Sequence, residues 1–69
     1  MKYRDFLRVL LDHGFREVRQ SGSHRTFAGV LGGQRQVVTV AYRREGDDIL
    51  PRNLASMIRQ SGLPKSLFR

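Results

Sequence analysis

Sixty-nine residues without a cysteine make one small domain, since a chain of this size hides only roughly 60% of the surface it exposes when unfolded and its core is limited to a layer or two. That argues against a large enclosed catalytic cavity, and it leaves no disulfide or thiolate metal site to staple the fold, so a reducing cytoplasm is the expected setting. Thirteen Lys and Arg against six Asp and Glu give a net charge of +7, and eleven of the thirteen are arginine, whose planar fork suits phosphate; the expected partner is a polyanion, nucleic acid first. A charged surface that only confers solubility is the plainer reading of the same count.

The N-terminal stretch MKYRDFLRVLL acquires charge every few residues, the wrong pattern for a signal peptide or a membrane span, and no membrane partner is expected. Over residues 4–13, Phe6, Leu7, Leu10 and Leu11 recur at helical spacing with Tyr3 on the same side, while Arg4, Asp5, Arg8 and Asp12 lie opposite. Gly14 suits the left-handed residue that closes a helix, and His13 in the last turn suits the negative end of the macrodipole, a structural role. Three strands are expected next, at 17–20, 24–28 and 36–41, the last rich in β-branched residues. Gly22 breaks the first pair and Gly29, Gly32 and Gly33 the second, so the strands form antiparallel hairpins. After the charged loop YRREGDD, Pro51 opens a second helix with the stripe Leu54, Met57, Ile58 and Ser61, and Gly62 ends it. The tail LPKSLFR is at most a last turn, with Leu67 and Phe68 able to pack back on the helices. The expected fold class is α+β, in the order α-β-β-β-α: a three-stranded antiparallel sheet with two helices packed on one face, as a single domain over 1–69.

The histidine in RQSGSHRTF, at position 24, is the residue this fold does not explain. If Phe27 points to the helices, alternation sends His24 and Thr26 to the open face; counted from an inward Val18, Glu17 and Arg19 also point outward, unless a bulge at Gly22 flips the register. His24 then stands near Arg19 and Arg25, at the mouth of a turn whose Ser21, Gly22 and Ser23 can offer backbone N–H groups to a phosphate. Arg43 and Arg44 extend the basic surface. RNA carries its own nucleophile, the 2′-hydroxyl, so one histidine titrating near neutrality can act as base or acid while arginines hold the scissile phosphate. Glu45, Asp47 and Asp48 share one loop with no histidine nearby and read as a solvated turn, so neither a metal site nor a cofactor is expected. A lone strand histidine in a basic domain is most often a surface residue or an RNA contact, so binding without catalysis stays open.

The order of these elements, together with Gly14-Phe15, GSHRTF, VVTV and NLASMIRQSGL, resembles the HicA family of toxins, the mRNA interferases of toxin–antitoxin modules. The likeness runs over about 2–63, and its specific part is Gly22-Ser23-His24 leading into a strand, followed by a helix ending Ile-x-x-x-Gly-Leu. The resemblance implies a fold similar to double-stranded RNA-binding domains, mRNA as substrate, a metal-independent endoribonuclease activity whose catalytic histidine falls on His24, and a HicB-type antitoxin as partner. Many members carry Pro-x-His after the third strand where this chain reads Ala41-Tyr42-Arg43, so Tyr42 or Arg43 would have to stand in for the second histidine. Two alternatives accompany this reading. One is a non-catalytic RNA-binding domain, against which the final helix begins Pro51-Arg52-Asn53-Leu54-Ala55 with a single basic residue. The other is an interaction module whose charge serves only to pair with an acidic antitoxin.

Overall fold

The apolar spacing near the N-terminus does build a helix, α1 (Tyr3–Asp12), with Tyr3, Phe6, Leu7 and Leu10 buried and Leu11 left about half exposed at the rim of the stripe. A computed structural model describes residues 1–68; after α1 come β1 (Arg16–Ser21), β2 (His24–Leu31), β3 (Gln34–Ala41), α2 (Pro51–Ser61) and a closing 3-10 turn, Lys65–Phe68. No side chain among the described residues caps the N-terminus of α1. Instead the orphan amides of its first turn donate to the loop after β3, Tyr3 N–H to the Asp47 carbonyl at 3.0 Å and Arg4 N–H to that of Glu45 at 2.9 Å. At the other end the chain turns at Gly14 (φ 87°), and the His13 ring donates from Nδ1 to the Val9 carbonyl at 2.8 Å, which also accepts the His13 backbone N–H at 3.2 Å.

The strands form one antiparallel sheet in the order β1-β2-β3. Both hairpin loops have two residues and the backbone signs such loops need: Gly22 alone has positive φ in Gly22-Ser23, whereas Gly32 (56°) and Gly33 (81°) both do in the second. The strands around the second loop are longer than expected, because Gly29 does not break them. It lies inside β2, facing the core, where the ring of the fully buried Phe15 rests so close that a Cβ would sit 2.8 Å from it. Gly29 is a glycine for packing.

One cluster joins Phe6 and Leu10 of α1, Phe15, Phe27 of β2, Val38 and Val40 of β3, Met57 of α2, and Leu63 and Phe68 of the tail. Both helices thus share the sheet face that carries Phe27, Val38 and Val40, and the opposite face stays open, with Val30 and Val37 exposed on it. Pro51 occupies the first turn of α2 and Gly62 (φ 70°) ends it. Ser61, fully buried, is satisfied on both sides: its Oγ donates to the Ile58 carbonyl at 2.6 Å and accepts from Leu63 N–H at 3.1 Å. Phe68 stacks on Phe6 with ring centroids 4.9 Å apart, while Leu67 remains exposed.

Candidate functional site

His24 is the first residue of the central strand, so its backbone is gripped from both sides, by Ser21 of β1 and Ala41 of β3. Phe27, 2% exposed, fixes the helix-facing side of β2, and alternation puts His24, Thr26, Ala28 and Val30 on the open side. Residues directly across a ladder share a face. Ser21 and Ala41 therefore flank His24, Arg19 and Thr39 flank Thr26, Val37 adjoins Ala28, and Arg35 adjoins Val30. The imidazole is exposed, and its ring has no hydrogen-bond partner among the described residues. The other imidazole of the chain, that of His13, is spent on α1.

Arg19 reaches this face by an unexpected route. Val18, expected inward, is 52% exposed and unpaired, because Glu17 opposes Phe27 while Arg19 opposes Thr26. The extra residue is a β-bulge, and it changes the parity of β1 midway. Glu17 consequently lies on the helix-facing side, against the outward placement expected for it, and Arg19 lies on the open side. The irregularity sits at Val18, not at Gly22, where a glycine had suggested one.

Arg25 neighbours His24 in sequence and therefore projects from the opposite face of β2, the side of Phe27. Its Nε and Nη2 donate to the two carboxylate oxygens of Glu17 at 2.8 and 2.7 Å, its Nη1 donates to the Tyr42 hydroxyl, and Glu45 Oε1 lies 3.5 Å from Nη1. The guanidinium carbon is 5.5 Å from the Phe27 ring centroid and 5.6 Å from that of Tyr42. The hydrogen bond from Arg25 holds the Glu17 carboxyl below the usual glutamate range, and the same bond from Glu17 pushes the guanidinium further above its ordinary value. Burial is the largest influence on Tyr42 and raises its phenol. Tyr42 also stacks on Tyr3 at 5.1 Å, donates from its hydroxyl to Glu45 Oε1 at 3.3 Å, and donates its backbone N–H to the Ser23 carbonyl at 3.3 Å.

The expected site residues therefore fall into groups. His24, Ser21 and Arg19 share the open face. Gly22, Ser23 and Arg43 gather with Gln20, Arg25 and Tyr42 around a shallow depression of about 420 Å³ at the end of the first hairpin. Arg44 is exposed one residue further along the loop, and Arg25 lies behind the sheet in its ion pair. Sequence reasoning missed Arg35 on the open face, although alternation from the apolar Val38 and Val40 would have found it. Arg16 lies opposite Ala28, with its guanidinium turned to the Phe15 carbonyl at 2.8 Å. Among the described residues no three His, Asp or Glu side chains gather into a set that could hold a metal ion, and no helix is long and apolar enough to cross a membrane.

These features define a small basic α+β domain in which a histidine without a hydrogen-bond partner among the described residues stands among polar and basic residues on one open sheet face. The family model for the HicA toxin of bacterial toxin–antitoxin systems matches residues 3–63, and the chain belongs to the HicA toxin family. Members are generally mRNA interferases, and membership implies a cognate antitoxin. No curated protein and no solved structure matches the chain.

Proposed function

We propose that this HicA toxin is a metal-independent endoribonuclease that cuts mRNA on its open sheet face, with His24 as the general base. The observation that carries this reading is the contrast between the two imidazoles: one is consumed by a helix carbonyl, whereas the other is exposed, has no hydrogen-bond partner among the described residues and is held on a strand paired on both sides. His24 removes the proton from a ribose 2′-hydroxyl. The 2′-oxygen then bonds to the adjacent phosphorus, the P–O5′ bond breaks, and the 5′-oxygen leaves with the bonding pair and takes a proton from water. The products are a 2′,3′-cyclic phosphate and a 5′-hydroxyl. Arg19 and Arg35 on the same face, Arg43 and Arg44 on the loop, and the polar turn Ser21-Gly22-Ser23 hold the phosphates and offset the charge that grows on the scissile one. General base catalysis of this kind contributes about 10²- to 10⁴-fold.

The partner in this reading is a HicB-type antitoxin with an acidic surface, and the setting is the cytoplasm, where mRNA is met. Incubating the purified protein with a long unstructured RNA in the presence of EDTA separates the alternatives. Cleavage is the expected result. Retention of RNA without cleavage would assign the fold to binding alone, and neither would leave it an interaction module.

A further inference from the structure

We propose that Arg25 and Tyr42 are positioning residues for His24 and not ligands of the RNA phosphate, a role that rests on the cleavage reading given above. Arg25 has little left to offer an anion. Its Nε–Nη2 edge is taken by the two oxygens of Glu17, its Nη1 by Tyr42, and its face lies over two rings. What the guanidinium does is tie four segments together: Glu17 on β1, its own strand β2, Tyr42 just past β3, and Glu45 in the following loop.

Those ties close on both neighbours of His24. On the N-terminal side, the Tyr42 amide donates to the Ser23 carbonyl, adding one rung beyond the His24–Ala41 pair. On the C-terminal side, Arg25 is fixed through its side chain, and the ring that fixes it is the same Tyr42, itself held by stacking on Tyr3. The bulge at Val18 makes the arrangement possible, because only a change of parity within β1 lets Glu17 reach Arg25 on one face while Arg19 serves the other. An exposed histidine at the end of a strand would otherwise fray with its hairpin. Since a misplacement of about 1 Å costs a catalytic group roughly 10²-fold, a clamp on the two flanking residues bears directly on rate.

The test compares Arg25→Gln, Tyr42→Phe, which keeps the ring on Tyr3, and the exchanged pair Glu17→Arg with Arg25→Glu. Cleavage kinetics are measured on each, and RNA affinity against salt is measured with His24→Ala added. Both single variants should lower kcat about tenfold or more while KM and the salt slope stay unchanged, and the exchanged pair should recover most of the loss. A higher KM with a salt slope shallower by about 0.7 would make Arg25 a phosphate ligand and overturn the proposal, as would unchanged kcat. Amide exchange gives a readout independent of cleavage. In Arg25→Gln the Tyr42 amide should exchange at least about tenfold faster than any loss of global stability accounts for, since local opening then falls below the global barrier. Unchanged Tyr42 protection refutes the clamp, whereas a wild-type protein that cuts no RNA refutes the cleavage reading by itself.

Discussion

Gly29→Ala isolates the packing of Phe15, in the link between α1 and β1, against the central strand. Gly29 does not have positive φ, so alanine is allowed by the backbone and, by restricting the unfolded chain, would by itself stabilise by about 0.4–1 kcal/mol. Space decides the outcome. The new Cβ would lie 2.8 Å from both Cγ and Cδ1 of Phe15, against an ordinary carbon contact of about 3.5–4.0 Å. The ring has little room to retreat, because Phe15 is fully buried and its N–H is held by the Leu10 carbonyl at 3.0 Å. Overpacking of this kind costs about 1–3 kcal/mol, so the net loss should be about 1–2 kcal/mol. For a domain of this size, whose total stability is about 3–10 kcal/mol, that is a large share. With a urea m-value near 1 kcal/mol/M, the unfolding midpoint should fall by about 1–2 M. Phe15→Leu added to Gly29→Ala should cost clearly less than the sum of the two single changes, because leucine vacates the space the methyl needs. A Gly29→Ala midpoint at or above wild type, or strict additivity in the double variant, would refute the Phe15–Gly29 contact.

RNA affinity should fall steeply with salt: if Arg19, Arg35, Arg43 and Arg44 each meet one phosphate of a single strand, the slope of log K against log salt is about −3, and Arg35→Ala should make it shallower by about 0.7. Folding stability should carry a contribution from Glu17 that is complete above the ordinary glutamate pKa, about 4.3, and is lost as pH falls through the depressed folded value; Glu17→Gln should remove that part of the pH dependence of urea melts. The cognate antitoxin should co-purify with the protein, and its association rate should drop steeply with ionic strength, since a +7 chain steers an acidic partner. A rate insensitive to salt would count against an acidic contact surface.

Much of the fold is legible along the chain because its signals are local. The stripe from Phe6 to Leu10, Pro51 at one helix start, Gly14 and Gly62 at the ends, and the glycines of both hairpin loops each act within a turn of where they stand. The open-face placement of His24 follows from Phe27 three residues away. What escaped the sequence depends on partners distant in the chain. Gly29 reads as a turn until Phe15 is seen against it, and α1 lacks a capping residue because its amides are met by carbonyls some forty residues later, at Glu45 and Asp47. The bulge at Val18 has no residue signature, since an extra strand residue needs no glycine when its φ stays negative. Missing it reversed the side assigned to Glu17. Arg25, counted with the phosphate contacts by its nearness to His24 in sequence, is committed to the other face by the same alternation that exposes His24.

The chemistry assigned to His24 is tested most directly by following cleavage of one RNA by wild type and His24→Ala, alongside the same RNA with a 2′-deoxy nucleotide at the cut site. The account predicts a cyclic phosphate end from wild type, no cut at the deoxy position, and a loss of about 3–5 kcal/mol in transition-state stabilisation for His24→Ala. Folding of that variant should be unchanged within about 0.5 kcal/mol, because an exposed side chain on the open face leaves no cavity when truncated. His13→Ala, which gives up only the bond to the Val9 carbonyl, should cut at the wild-type rate. Near wild-type cleavage by His24→Ala, or a cut at the deoxy nucleotide, would contradict the account.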